Sequence, residues 1–96
     1  MSFYRWNTDK NLWLKKERGI SFEEIVWHIE HGYLLDDLAH PNQEKYPEQR
    51  IMIIKVKEYA FIVPYVENED GVFLKTVIPN RKATRDYITE RIKNGT

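Results

Sequence analysis

Two adjacent apolar segments in the second half of the chain constrain the fold most strongly. Residues 51–56 and 59–66 are almost continuously apolar and rich in β-branched and aromatic side chains, which is typical of central strands. Only Lys57 and Glu58 separate them, so the two segments are predicted to form a tight antiparallel hairpin. This turn lacks the glycine that such hairpins favour. Pro64 predicts a bulge or an edge position near the end of the second strand.

A strand, a turn and a helix are predicted to follow the hairpin. Residues 67–71 form a turn, and residues 72–78 form the next strand. Pro79 ends that strand because it has no N–H to donate. Asn80 is a good N-cap residue, since its side chain accepts a hydrogen bond from a free N–H of the next helix. That helix is predicted over residues 83–93.

The first part of the chain predicts two helices. Residues 8–18 read as a short, weakly amphipathic helix with Leu12 and Trp13 on one side, and Gly19 ends it. A second helix is predicted over residues 21–31, where Ser21 and a glutamate three residues later form a capping box. The apolar side chains of this helix recur at helical spacing: Phe22, Ile25, Val26 and Ile29. Trp27 lies off this stripe, and packing in the core is the favoured interpretation over a partner interface.

Two segments complete the predicted fold. Residues 33–39 form either a short edge strand or an extended connection, and residues 40–49 form a polar loop with two prolines. The element order therefore predicts one α+β domain over residues 1–96. It consists of two N-terminal helices, an antiparallel sheet of three to four strands and a C-terminal helix.

Length and composition exclude several classes of protein. A chain of 96 residues suffices for one core, so function is expected on a surface or in a shallow cleft. No apolar run approaches the roughly 20 residues that span a bilayer. Residues 1–19 carry charges throughout, which predicts no export signal and a cytoplasmic location. The absence of cysteine excludes disulfides and cysteine-based zinc sites.

The net charge of zero conceals a strong pattern along the chain. Residues 1–20 hold five basic and two acidic side chains, and residues 72–96 hold six and two. Residues 21–48 hold one basic and seven acidic side chains. If the two basic ends meet in space, they form a positive face suited to a polyanion, and the acidic middle suits a basic partner. The alternative is an even spread of these charges over the surface.

Candidate site residues follow from the strand-to-helix junction and the polar loop. Arg81 and Lys82 lie where a strand end meets a helix start, and Lys75 lies in the preceding strand. These cations suit a phosphate, although solvated surface charges are an equally good interpretation. The loop residues His40, Lys45 and Tyr46 are candidates for proton transfer or base stacking.

A metal site is not expected. His28 and His31 lie one turn apart on the second helix, and Glu24 precedes them by one turn. Structural metal sites usually need four ligands, and no further ligands cluster with these residues in the sequence. We therefore predict no metal and no other cofactor.

Three short segments resemble one known family. Residues 6–10 read WNTDK, residues 20–24 read ISFEE, and residues 78–84 read IPNRKAT. They are similar in type and spacing to the Trp-Asp-Pro-x-Lys, Val-Ser-Phe-Glu-Glu and Ile-Ser-Ala-Arg-Lys-Ala-Thr segments of the BrnT toxins. BrnT proteins are a branch of the RelE/ParE-like superfamily in bacterial type II toxin–antitoxin pairs. The resemblance covers both ends of the chain and the strand order, and it does not cover the loop at 40–49.

The resemblance implies a metal-independent endoribonuclease that inhibits translation. A cognate antitoxin would neutralise it, operator DNA would be bound only through the antitoxin, and no membrane would be involved. Cleavage of RNA needs proton transfer and stabilisation of charge on the phosphate. We expect phosphate stabilisation from Lys75, Arg81 and Lys82 and proton transfer from the three loop residues. Further RNA contacts are expected from Lys10, Arg18 and Arg85.

Two departures from the family pattern support an alternative function. Arg18 stands where the family usually has histidine, and Leu14 stands where it usually has asparagine. A guanidinium stays protonated at neutral pH, so Arg18 would bind phosphate rather than transfer a proton. The alternative is a non-catalytic module on the same fold that binds a partner protein or a nucleic acid.

Overall fold

The computed structural model describes residues 3–89, which form a twisted arrangement of strands with helices on both faces. In chain order the elements are β1 (Tyr4–Trp6), α1 (Thr8–Arg18), α2 (Phe22–Glu30), β2 (Leu34–Ala39), β3 (Arg50–Val56), β4 (Tyr59–Asn68), β5 (Gly71–Leu74), β6 (Ile78–Pro79) and α3 (Arg81–Thr84). A π-helical turn, Arg85–Thr89, continues α3. The predicted α+β class is confirmed.

The sheet differs from the predicted one in size and in direction. Its strand order is β1-β5-β4-β3-β2, and β6 pairs with β4 beside that path. The pair of β1 and β5 is parallel, and the other pairs are antiparallel. The prediction of a purely antiparallel sheet of three to four strands was therefore wrong. The sequence did not reveal β1 because three residues are too few to show a strand period.

The predicted strand over residues 72–78 is interrupted. It pairs with β4 as far as Leu74, and β4 is paired again only at Ile78. Between the two ladders the Lys75 amide donates to the carbonyl of Pro64 at 2.8 Å, and Val77 turns into the core. Pro64 lies opposite this break in the pairing. No carbonyl of a paired strand on that side therefore needs the N–H that proline lacks.

Period-two alternation along the central strands divides the core into two layers. On one face Met52, Ile54 and Val63 pack against the helical residues Phe22 and Ile25. On the other face the buried side chains that meet α3 and its continuation belong to a second cluster: Ile51, Ile53, Ala60, Ala83 and Ile88. Thus α1 and α2 cover one face, and α3 packs on the opposite face.

The first helix has the predicted bounds, and the side with Leu12 and Trp13 is not the one that faces the core. Leu12 and Trp13 are 58% and 42% exposed, whereas Asn11 and Leu14 are buried. The Asn11 side chain accepts from the Phe22 amide at 2.8 Å and donates to a carboxylate oxygen of Glu23 at 2.7 Å. The bond from Asn11 lowers the pKa of Glu23. The spacing of apolar residues could not predict that Asn11 is buried, because Asn11 is polar and is buried through its hydrogen bonds.

The remaining helical predictions are confirmed in part. The capping box that opens α2 is present, and Asn80 caps α3 by accepting from the Ala83 amide at 2.7 Å. The core interpretation of Trp27 was wrong, because this side chain is 50% exposed. The last helix begins at Arg81 rather than at residue 83, and the predicted residues 90–93 lie outside the described part of the chain.

Among residues 3–89, no helix has both the length and the apolar character needed to cross a membrane.

Candidate nucleic-acid interface

A pocket of about 330 Å³ lies at the turn between β3 and β4. Residues 18–20 and Glu24 line it from the connection between α1 and α2, and residues 56–59 and Phe61 line it from the hairpin. The two-residue turn at Lys57 and Glu58 was predicted and is confirmed by the pairing of the residues on either side of it. The pocket therefore depends on a hairpin and a helical corner that are distant in sequence.

Arg18 is held in place without losing its charge. Its guanidinium donates to the carbonyl oxygen of Val77 and lies 4.9 Å from the ring centroid of Trp13. The Lys10 ammonium lies 4.3 Å from the centroid of the same ring, so the side chains of both predicted RNA-binding cations contact Trp13. Within residues 3–89 no carboxylate forms an ion pair with Arg18. A carbonyl and an indole fix the guanidinium but leave its net charge available to an anion.

The Arg18 contact joins the two basic ends of the chain. Val77 lies between Lys75 and Arg81 in the sequence, so the end of α1 touches the segment that carries the C-terminal cations. The end of α1 therefore meets the C-terminal segment at Val77, whereas Arg81 and Lys82 begin on the opposite face of the sheet. This contact places Arg18 at the pocket, and the Trp13 ring links Arg18 to the Lys10 ammonium, which comes from about two turns earlier on α1.

The hairpin turn contributes a strained lysine that the sequence interpretation missed. Lys57 has a φ of 59°, a left-handed conformation that residues other than glycine rarely adopt. Backbone strain of this kind is often found at functional sites. The sequence does show that this turn has Lys57 and Glu58 where tight hairpins favour glycine. Lys57 therefore adopts a left-handed backbone conformation that is unfavourable for a residue with a side chain.

An aromatic wall closes the hairpin side of the pocket, and it was also missed. The rings of Tyr59 and Phe61 meet edge to face, with centroids 5.8 Å apart and planes at 66°. Tyr59 is 37% exposed, so part of its ring is open to a ligand. Opposite these rings lies the buried side chain of Ile20. Such surfaces suit the flat, apolar faces of a nucleobase.

The start of α3 is attached to the same end of β4. The Asn80 amide donates to the carbonyl of Ala60 at 3.0 Å, and the Ala60 amide donates to the Thr84 hydroxyl at 2.9 Å. Ala60 directly follows the Tyr59 of the pocket, so Arg81 and Lys82 begin near it, on the other face of the sheet. Both cations are exposed, and neither forms an ion pair within the described residues.

Two other predicted cations occupy different surroundings. The guanidinium of Arg85 is paired with the carboxylate of Asp86 at 3.1 Å, which neutralises much of its attraction for an anion. The Lys75 ammonium lies 5.1 Å from the ring centroid of Phe73, a side chain of β5. Phe73 alternates with the buried Val72 and Leu74, so Lys75 is placed over the face that α3 also covers.

The predicted loop residues are not brought to the pocket. The His40 and Tyr46 rings lie 4.5 Å apart, and the Lys45 ammonium lies 5.3 Å from the Tyr46 ring centroid. This loop leads into the first residue of β3, whereas the pocket lies at the last. Seven residues of strand separate them, a distance of about 20 Å. The loop and the pocket are therefore separate surfaces.

The loop end of the sheet has its own charged cluster. The Tyr65 hydroxyl lies 2.8 and 2.7 Å from the two carboxylate oxygens of Asp37, and the Arg50 guanidinium donates to the same carboxylate at 3.1 Å. Burial raises the pKa of Tyr65 to about 12, and the bond to Asp37 adds to this effect. The cluster ties β2 to the sheet and compensates the charge of Arg50.

The histidines of α2 form an aromatic surface. The Trp27 and His31 rings are stacked with centroids 4.0 Å apart. Nδ1 of His28 lies 2.6 Å from the carbonyl oxygen of Glu24, and Nδ1 of His31 lies 2.7 Å from that of Trp27. Across the described residues, no group of three or more His, Asp or Glu side chains is placed to hold a metal ion.

No family model, curated protein or solved structure matches the chain.

Proposed function

We propose that this protein binds single-stranded RNA at the hairpin pocket and cleaves it without a metal ion. The observation that carries this proposal is the uncompensated Arg18 guanidinium, held by a carbonyl and an indole at the edge of a pocket with an aromatic wall. A fixed cation beside an exposed ring is the combination that binds a phosphate and its neighbouring base. Arg81 and Lys82, at the same end of β4, extend the path of the RNA backbone.

The chemistry requires attack by the 2′-oxygen of a ribose on the adjacent phosphorus. The bond between the 2′-oxygen and phosphorus forms, and the bond from phosphorus to the 5′-oxygen breaks. Glu58 takes the proton of the 2′-hydroxyl, and the Lys57 ammonium gives a proton to the departing 5′-oxygen. Arg18 stabilises the negative charge that accumulates on the phosphate. The products are a 2′,3′-cyclic phosphate and a 5′-hydroxyl.

The loop residues have no part in this reaction. We assign no proton transfer to His40, Lys45 or Tyr46, because they lie at the far end of β3. Lys75 has its ammonium group over the Phe73 ring, and this group would bind a phosphate of the RNA outside the cleavage site.

In the cell, the protein would act as the toxin of a type II toxin–antitoxin pair in the cytoplasm. Support comes from the end segments that resemble BrnT toxins, and we interpret the α+β architecture as a variant of the RelE/BrnT-like fold. A cognate antitoxin would cover the basic surface with acidic and apolar side chains. The pair would bind operator DNA through the antitoxin alone.

The proposal is tested with purified protein and a labelled single-stranded RNA in the presence of EDTA. We expect cleavage that yields 2′,3′-cyclic phosphate ends. An RNA with 2′-deoxyribose at the cleavage site should resist, because it lacks the attacking oxygen. Arg18→Ala should lose most of the activity, whereas the matched change Lys16→Ala, on the exposed side of α1, should retain it. Intact RNA with the wild-type protein would contradict the proposal.

One observation favours the alternative function. No histidine lines the pocket, and Arg18 stands where the related toxins have one. A non-catalytic module would bind RNA or a partner protein through the same cations. Binding of the RNA at full affinity without any cleavage, in wild type and in Glu58→Gln alike, would establish that alternative.

A further inference from the structure

The pocket is not built for a phosphate alone. Its lining includes two cations, Arg18 and Lys57, and two carboxylates, Glu24 and Glu58. The formal charges of these four side chains cancel. A bare anion would be attracted by one pair and repelled by the other. The ligand that fits carries both a negative charge and hydrogen-bond donors.

Glu24 is a rigid acceptor in this lining. One of its carboxylate oxygens lies 3.2 Å from the Ser21 amide and 3.3 Å from the Ser21 hydroxyl, within the capping box of α2. A carboxylate has about four lone-pair sites, so these contacts leave acceptor capacity on both oxygens. No other described residue donates a hydrogen bond to it. Its position is fixed by the start of α2 and does not depend on a ligand.

The other walls suit a single flat ring. Tyr59 and Phe61 supply aromatic surface, and Ile20 and Val56 supply aliphatic surface. The volume of about 330 Å³ lies at the small end of the range for ligand pockets. Such pockets span roughly 300 to 1,000 Å³. The space therefore matches one nucleoside rather than two stacked ones.

We propose that the pocket binds one unpaired guanine of the RNA, read by the Glu24 carboxylate. This inference rests on the proposed function and adds a base specificity to it. Guanine presents two adjacent donors, N1–H and the 2-amino group, which match the two oxygens of a carboxylate. Adenine, cytosine and uracil each place at least one acceptor beside the donor on that edge, where a carboxylate repels it. The phosphate of the guanine nucleotide then lies toward Arg18.

Binding of uncleavable oligonucleotides tests this inference. The probes are four 2′-deoxy pentanucleotides that share thymine at four positions and carry guanine, adenine, cytosine or thymine at the centre. The measurements are the dissociation constant of each probe and the NMR shift of the Gly19 amide, which lies in the lining. We expect the guanine probe to bind at least about tenfold more tightly than the others and to shift Gly19, because a bidentate contact gives discrimination of this size.

Two glutamine variants complete the test. Glu24→Gln retains the capping box, since glutamine also serves at that position, but it replaces an acceptor by a donor. It should abolish the preference for guanine and leave the fold intact. The matched change Glu30→Gln, on the exposed part of the same helix, should keep the preference.

The outcomes separate this inference from the proposed function. Equal affinities for the four probes, or a guanine preference that survives in Glu24→Gln, would overturn the inference while RNA cleavage still stood. Failure to bind any of the probes and failure to cleave RNA would overturn both. Guanine-selective binding without cleavage would support the pocket and reject the enzyme.

Discussion

The two ends of the β3–β4 ladder each present an arginine, and the two side chains are held in opposite ways. At the hairpin end, the guanidinium of Arg18 is bound by a neutral carbonyl and a neutral ring. At the loop end, the guanidinium of Arg50 is bound by the carboxylate of Asp37, which also contacts Tyr65. Within residues 3–89, Arg50 is ion-paired with a carboxylate and Arg18 is not.

This difference distinguishes a structural arginine from one suited to a ligand. Both residues are exposed, so exposure alone does not separate them. The two arginines differ in the charge of the group that binds each guanidinium. An ion pair with a carboxylate cancels the positive field that would attract a phosphate. The hairpin end therefore holds the arginine that is better suited to a phosphate, in a pocket whose carboxylates Glu24 and Glu58 also require hydrogen-bond donors from the ligand.

The largest expected effect is on RNA affinity. Arg18→Ala should weaken binding of a 2′-deoxy oligonucleotide about 30-fold, the equivalent of about 2 kcal/mol for a charge-assisted contact. Arg50→Ala removes the same charge from the other end and should change the affinity less than about twofold. Fluorescence anisotropy measures both. A comparable loss in the two variants would remove the distinction between the arginines.

The next effect is on stability at the loop end. Asp37→Ala leaves the buried Tyr65 hydroxyl without its acceptor and should lower the free energy of unfolding by about 1.5 kcal/mol. It also leaves Arg50 uncompensated, so affinity for RNA should rise slightly rather than fall. Urea unfolding and the anisotropy titration give the two values. Lower RNA affinity in this variant would show that the loop end contributes to binding directly.

The Tyr65 hydroxyl should also make stability depend on alkaline pH. Its pKa is raised from 10.0 to about 12 in the folded state, so its stabilising contribution is fully present below pH 10 and is lost as pH rises toward 12. Between these values the wild type should lose about 2 kcal/mol more than Tyr65→Phe, which cannot ionise there. Parallel unfolding curves for the two proteins over this window would contradict the assignment.

The smallest effect concerns the strained turn at the hairpin end. Lys57→Gly removes the cost of a left-handed side chain and should stabilise the fold by about 0.5 kcal/mol while it slows RNA cleavage. Lys57→Ala is the matched control, because it removes the same charge but retains the strain. Equal stability in the glycine and alanine variants would mean that the turn is relaxed.

The sequence predicted the elements that depend on local chemistry. The capping box of α2, the Asn80 cap and the hairpin at Lys57 were found because each rests on neighbouring residues. The strand β1 was missed because its pairing partner Val72 is distant in the chain and three residues carry no period. The buried side of α1 was not predicted, because it includes Asn11, a polar residue whose side chain is hydrogen-bonded inside the fold.

The candidate site was predicted less completely than the fold, for a physical reason. Charged residues were grouped by segment, which identified Arg18 and the cations near Asn80 but could not show which of them are compensated. The loop residues around Tyr46 were grouped with these cations because their distance along β3 was unknown. Tyr59 was read only as a strand residue, since nothing in its neighbours indicates a pocket across the chain.

The salt dependence of RNA binding tests the central claim most directly. The slope of the logarithm of the binding constant against the logarithm of salt concentration counts the phosphates that a protein neutralises, with about 0.7 per contact for single strands. Arg18→Gln should reduce the magnitude of this slope by about 0.7, and Arg50→Gln should leave it unchanged. An unchanged slope in Arg18→Gln, or a loss confined to Arg50→Gln, would contradict the claim.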